Sequence, residues 1–264
     1  MLKPRRSPRR PGAVGLARAL SKLGAMSRGE AVRRVLAVDV RVDGHVVRDP
    51  GRAVVPERAK ILVAGMPVSR ADPVTVVLNK PRGVVTTRSD PRGRPTVYSL
   101  LEGLGTWVAP VGRLDLASTG LLLLTNDTRL ADFLLDPVHA VPRTYIVTVR
   151  GEVSDSTARR IERGIEDEGE RLSARSVEVL KRSGRESHAR IELVEGRNRE
   201  LRRLFAACGH EVTRLKRIAF GGLALGDLQP GAWRRVSEEE LRAAFPGRRE
   251  RTAPSPSRRS DQPR

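Results

Sequence analysis

The chain has 264 residues, 39% of them apolar, enough for a buried core in one or two domains. Its 50 Lys and Arg against 31 Asp and Glu give a formal charge of +19, which points to a polyanionic partner. One cysteine, Cys208, leaves no internal disulfide, no run approaches the ~20 apolar residues of a membrane span, and the N-terminal arginines lack the apolar segment of a secretory signal, so a soluble, cytoplasmic protein is expected.

Residues 1–12 and 247–264 are rich in Arg, Pro and Ser and poor in large apolar groups. They cannot bury enough surface to offset the entropy of ordering and are expected to be disordered basic arms. Residues 13–68 form the first block. Leu16, Ala19, Leu20 and Leu23 have helical spacing, and Gly24 follows as a stop. Ser27, with Glu30 three residues on, makes a capping box ahead of Ala31, Val32, Val35 and Leu36. VRVDGHVV then alternates apolar residues around Asp43-Gly44, a strong hairpin signal. Two short helices and a hairpin hold too little core for an enzyme, but Arg18, Arg28, Arg33 and Arg34, spread over them, suit a phosphate backbone.

Ala71-Asp72-Pro73 reads as a linker, and from residue 74 the texture changes. TVVLNKP, GLLLLT, TYIVTVR, ARSVEVL and HARIELVEG are strand-like runs, several with period-two alternation. Helical segments fall between them. Residues 128–135 put Leu130, Phe133 and Leu134 on one face, 154–165 begin with a cap, and 198–208 space Leu201, Leu204, Phe205 and Cys208 as one apolar stripe before Gly209. SEEE at 237–240 caps a last helix. This irregular alternation predicts an α+β fold: a small helix-helix-hairpin module and then, over 74–246, a mixed, mainly antiparallel sheet with flanking helices.

Several chemistries have no residues to run on. His45, His139, His188 and His210 are scattered without metal-ligand spacing, one cysteine builds no zinc site, and neither GxGxxG, GxxxxGK[ST] nor GxSxG occurs. No metal and no cofactor are expected. GRLDLASTGLLLLTND at 112–127 is different, because it posts Asp115 between Arg113 and an apolar strand. A turn aspartate bonding its own backbone would suit the neighbouring glycines. A carboxylate lining a cleft over an apolar floor would suit the leucine run, and there it needs a cation to stay ionised. On the helix at 198–208, Arg202 projects from the edge of the apolar stripe, either as solvated surface or as that cation; Arg199 and Arg203 point further out and suit phosphates. Tyr145 is one of two tyrosines and reads as a core ring or a stacking platform.

These residues carry a resemblance. GRLDLASTGLLLLTND is similar to the signature of the RNA pseudouridine synthases, specifically the RluB-like RsuA branch that acts on ribosomal RNA. LNKPRGVVTT followed by DPRGRPTV, PRTYIVTVRG, and EGRNRELRRLFAACGHEVTRLKRIAFGG agree with that family in order and spacing. Block 13–68 resembles the alpha-L RNA-binding module, so the likeness spans about residues 14–246. It implies that Asp115 is the catalytic carboxylate, Tyr145 packs against the target base, Arg202 pairs with the aspartate, and Leu201 lines the pocket. Arg113 is expected at that pocket too, with Lys80, Arg82, Arg199 and Arg203 holding RNA phosphates. Three positions depart from the pattern. Ser118 stands where threonine is common, Glu200 replaces the usual glutamine beside the helical arginine, and LAVDVRV lacks the glycine that commonly precedes the module's hairpin.

The expected partner is ribosomal RNA or an assembling ribosomal subunit, with no membrane, and the expected state is a monomer. Two other functions compete. A catalytically silent RNA-binding or ribosome-assembly factor of the same fold explains the charge and the module, but not Asp115, Tyr145 and Arg202 together. A hydrolase of the glycosidic bond would show a second carboxylate as partner to Asp115, and the sequence displays none.

Overall fold

β1 (Val14–Gly15) leads into α1 (Leu16–Lys22) and α2 (Arg28–Leu36) in the structure, a computed structural model that describes residues 11–248. The basic arms expected at 1–12 and 247–264 lie almost wholly outside the described residues. Ser27 caps α2 by accepting the Glu30 N–H at 3.1 Å, as its capping pattern requires. β2 (Val40–Val42) and β3 (His45–Val46) form the hairpin at Asp43-Gly44, whose φ values of 50° and 85° are those of a two-residue turn that follows the strand twist. β4 (Ala53–Val54) pairs with β1, and β5 (Ile61–Val63) and β6 (Met66–Pro67) widen the hairpin into a four-stranded sheet ordered β3-β2-β5-β6. Strands of two or three residues are too short for alternation to register in sequence. Leu16, Leu20, Ala31, Val35, Val40 and Ile61 close a core belonging to this unit.

The larger unit begins with β7 (Thr75–Lys80), β8 (Ala109–Pro110), β9 (Thr119–Thr125) and α3 (Thr128–Leu135). β10 (Arg143–Arg150), α4 (Asp155–Arg163), the β11 (Ile165–Asp167) and β12 (Glu170–Leu172) hairpin, β13 (Ser176–Lys181) and β14 (Glu186–Leu193) follow. α5 (Glu200–Ala206), β15 (Val212–Phe220), β16 (Leu223–Ala224), β17 (Trp233–Arg235) and α6 (Glu238–Ala244) complete it. The main sheet runs β13-β14-β10-β15-β9-β7-β17, mixed and mainly antiparallel, with β9 parallel to β15.

Helices on both faces explain the unbroken leucines of β9. Leu122 and Leu124 face the core shared with α4 and α5, whereas Leu121 and Leu123 face the core shared with α3 and α6. All four have zero exposure, so each contributes roughly 1.5 to 3 kcal/mol from burial, and no polar face is left to alternate. β15 lies in the middle of the sheet and is absent from the strand runs read in the sequence. Arg214, Lys216 and Arg217 interrupt its apolar pattern, and Arg217 is buried. Gly120 permits the close passage of β9 over β15: a Cβ there would stand 2.2 Å from the Arg217 carbonyl oxygen, and its φ is +100°.

The linker is fastened at both ends. The Ala71 N–H donates to Leu23 O at 2.8 Å, while Asn126 accepts from the Val74 N–H at 2.8 Å and donates to Asp72 O at 2.9 Å. Among the described residues no helix is long and apolar enough to cross a membrane.

Candidate active site

A cavity of about 560 Å³ opens where the loop before β9, strands β10 and β15, and the start of α5 converge. Asp115, Tyr145, Leu201 and Arg202, brought together from distant parts of the sequence, all line it, and so does Arg113. The Asp115 turn is closed by its own backbone, Ser118 N–H donating to Asp115 O at 3.0 Å. The carboxylate takes no part in that bond and is exposed at the cavity. Thr86 Oγ1 donates to Leu114 O at 2.8 Å and the Gly83 N–H to Leu116 O at 2.9 Å, so the loop after β7 braces the turn from outside.

Lys80 corrects an expectation. Its side chain is fully buried and unavailable to a phosphate; Nζ donates to Asp115 O and Pro81 O at 3.1 Å each and to Ser118 O at 2.8 Å. Burial pulls its pKa down to about 8, against the opposing influence of the Asp115 charge. The ammonium thus ties both ends of the 115–118 turn to the end of β7. Arg203 is corrected too. It is bonded to the carboxylates of Asp167 and Glu170 on the β11–β12 hairpin, a local network that occupies its donors.

Arg202 shares the cavity with Asp115 but forms no direct ion pair with it; its Nη1 donates to Val212 O at 2.7 Å, and its Nε is buried without a partner. Burial lowers its pKa, Arg199 and Arg82 add to that, and the Asp115 charge counteracts it, which places the aspartate within electrostatic reach. Tyr145 is 8% exposed on β10, facing the cavity from the edge of the core, so it is core ring and cavity wall at once. Arg199 starts α5 in the left-handed conformation (φ 49°, ψ 30°), rare for a residue with a Cβ. Arg82, Arg113 and Arg199 are exposed and make no ion pair with a described residue. Arg18 and Arg28 are exposed likewise, whereas Arg33 and Arg34 both pair with Glu30, and Arg34 also with Asp39 at 2.8 Å.

Two buried arginines escape a reading of the sequence. Arg217, 2% exposed, lies opposite Tyr145 across β10 and β15; its Nε donates to Leu121 O at 2.7 Å and its Nη2 has no partner. Arg143 donates to four backbone carbonyls, of Leu134, Val141, Val194 and Glu195, at 3.0 to 3.3 Å. Both guanidiniums lie over the Phe220 ring, 4.9 and 5.2 Å from its centroid. An arginine inside a period-two strand looks the same in sequence whether it faces water or a cavity, so only pairing register reveals them. Glu200, in sequence no more than a departure from the family pattern, is 3% exposed and lines the same cavity. Burial raises its pKa to about 7, opposed first by the hydrogen bond from the Arg197 N–H. Among the described residues no group of three or more His, Cys, Asp and Glu could hold a metal.

The sequence and the fold match known proteins. Residues 74–207 match the family described as RNA pseudouridylate synthase. The chain is 38% identical over 227 residues to an uncharacterized RNA pseudouridine synthase of Aquifex aeolicus, covering 86% of this chain and 91% of that one. It is 35% identical over 229 residues to the ribosomal large subunit pseudouridine synthase B of Bacillus subtilis, covering 86% and 93%. A crystal structure of a pseudouridylate synthase superposes with a TM-score of 0.63 at 26% identity, covering 86% of this chain and 98% of that one. With a matching family over more than half its length and relatives aligned nearly end to end, this chain belongs to the RNA pseudouridine synthases, isomerases that act on RNA, and to their RluB-like branch.

Proposed function

We propose that this enzyme converts one uridine of ribosomal RNA to pseudouridine, with Asp115 as the catalytic carboxylate. The reaction breaks the bond between N1 and the anomeric carbon, turns the uracil, and joins C5 to that carbon while the C5 proton passes to N1. Nothing is consumed. The observation that carries the reading is one cavity beside the main sheet holding an exposed carboxylate, a tyrosine face and unpartnered arginine donors.

A uridine in folded RNA must leave its stack to reach such a cavity. Tyr145 and Leu201 supply the apolar walls against which the base lies. Asp115 acts at the ribose, either as nucleophile at the anomeric carbon or as base toward the neighbouring ribose proton. Arg202 holds positive charge near it, and Arg82, Arg113 and Arg199 at the rim take phosphates of the flanking nucleotides. The unit over 13–68 acts as an alpha-L-type RNA-binding module, with Arg18 and Arg28 its free cations and Arg33 and Arg34 partly matched by Glu30. Ribosomal RNA, free or within an assembling subunit, is favoured as substrate by the name of the Bacillus subtilis relative, a ribosomal large subunit synthase.

The test is Asp115→Asn on ribosomal RNA from a strain lacking the enzyme. Loss of pseudouridine formation by about a thousandfold or more, with RNA affinity retained, is expected. A variant as fast as the parent removes Asp115 from the chemistry, and a parent that forms no pseudouridine makes the chain a silent RNA-binding factor.

A further inference from the structure

Besides Asp115 the cavity is lined by two carboxyls, Glu195 and Glu200, and the isomerisation has so far no use for the buried one, Glu200. Glu200 opens α5, and its Oε2 accepts from the Arg197 N–H at 3.2 Å. Its Oε1 takes no hydrogen bond from a described residue. The charged groups around it come from every wall. Arg143 reaches from β10, Glu195, Arg197 and Arg199 from the β14–α5 loop, Arg202 from α5, Arg217 from β15, and Arg113 and Asp115 from the loop before β9.

No described cation forms an ion pair with the Glu200 carboxylate, although Arg197 and Arg143 act on it at longer range. Arg143 spends its Nη1 and Nη2 donors on backbone carbonyls, Arg197 Nε is bonded to Glu195 at 2.5 Å, and Arg217 Nε is bonded to Leu121 O. A carboxyl that is 3% exposed with no committed counter-ion and a second carboxylate, Glu195, nearby keeps its proton to higher pH than an exposed glutamate and is the neutral acid below about pH 7. A neutral acid offers a donor and an acceptor side by side, the pattern that the amide of glutamine also offers.

Uracil has one edge that matches it. The imide N3–H lies between two carbonyl oxygens, so an acid can accept from N3–H and donate to the adjacent carbonyl. Turning uracil about the axis through N3 and C6 exchanges N1 with C5 and exchanges the two carbonyls. The edge therefore presents the same donor and acceptors before and after isomerisation. A group reading this edge can keep N3–H through the turn and meets one carbonyl where it had met the other.

Resting on the synthase reading, we propose that Glu200 is a specificity-determining residue that reads the imide edge of the target uracil as a neutral acid, Oε1 donating to a carbonyl oxygen and Oε2 accepting from N3–H. Deprotonation puts two acceptors against that carbonyl and weakens the hold. The alternative role is structural, in which Glu200 only closes the first turn of α5 through the Arg197 N–H.

The experiment compares the full-length parent with Glu200→Gln on ribosomal RNA, following kcat/KM for pseudouridine formation from about pH 6 to about pH 8.5. The ratio of variant to parent is expected to rise about tenfold across that window, because the parent loses its donor and the amide does not. Any other titrating group, Lys80 included, is common to both proteins and cancels in the ratio. In a second arm, 3-methyluridine at the mapped target site removes N3–H, and the pH dependence of the ratio should shrink to less than about threefold. A ratio constant with pH on natural RNA overturns the proposal, as does a pH-dependent ratio that 3-methylation leaves intact. A parent that makes no pseudouridine at any pH overturns instead the synthase reading on which this rests.

Discussion

Val38 stands at φ 62°, just past the C-cap of α2, with its N–H on Val35 O at 3.1 Å and the Asp39 N–H on Arg34 O at 3.0 Å. That is the helix-ending position where glycine is usual, and it is where the resembled module carries the glycine this sequence lacks. A β-branched residue there is strained by about 1 to 2 kcal/mol, part of which glycine would give back as unfolded-chain entropy. Val38→Gly should stabilise the protein by about 1 kcal/mol in urea denaturation; a lower midpoint would show that Val38 is not strained. Glu200 gives a second residue-scale prediction, with the sign set by linkage. Its folded pKa, about 7, lies above the ordinary glutamate value of 4.5, so between those values the folded state binds the proton that the unfolded state has lost. Stability from this group is present below about 4.5 and is lost as pH rises through about 7, by at most about 3 kcal/mol. Glu200→Gln, which has no proton to lose, should gain on the parent by about 2 to 3 kcal/mol between about pH 5 and about pH 8 in paired urea titrations. Parallel curves would mean the carboxyl is ionised at little cost. Asp115, Tyr145, Leu201 and Arg202 are visible in the sequence as parts of motifs. Lys80 and Arg203 are misread there because a cation beside a proline or on a helix looks alike whether it faces a phosphate, three carbonyls or two carboxylates.

Elements are legible where length gives the pattern room. β7, β9, β10, β13 and β14 show as apolar runs, and α2 and α6 as capping boxes, because each repeats its signal over enough residues. β15 does not, since Arg217 takes an inward position at the cavity and Arg214 and Lys216 are exposed, so its apolar pattern is broken on both faces. Its partner relation to β9 depends on one residue. At Gly120 a Cβ would fall 2.2 Å from Arg217 O and 2.8 Å from Arg217 N, both backbone atoms that cannot rotate away. Gly120→Ala should therefore force the two strands apart, costing about 3 kcal/mol or more and displacing both the Asp115 turn and Arg217. Loss of activity together with a fall of several degrees in Tm is the expected outcome. A variant of parental Tm would show that the strands separate without cost.

The molecule combines two units that bury their apolar residues separately. No buried member of the two cores flanking the main sheet precedes residue 76, and the N-terminal unit's core ends before it. They meet through the short linker, through Asn126 clamping Asp72 and Val74, and through Gly24 packed against Ala71 and Asn126. A chain beginning at Asp72 should accordingly stay folded, because it keeps both cores and the clamp. What it lacks is the charge of Arg18, Arg28, Arg33 and Arg34 and their neighbours, so its affinity for ribosomal RNA should fall and its salt dependence flatten. Each phosphate that the shortened chain leaves unneutralised reduces the slope of log K against log salt by about 0.7 for single-stranded RNA. If Arg18 and Arg28 bind the phosphates, the flattening should be about 1 to 2 units, because Arg33 and Arg34 are already paired with Glu30 and Asp39. Binding isotherms at several salt concentrations, for the full chain and the shortened one, measure this directly. An unchanged slope would mean that the N-terminal unit does not touch phosphates and that the rim of the cavity alone carries the electrostatic attraction.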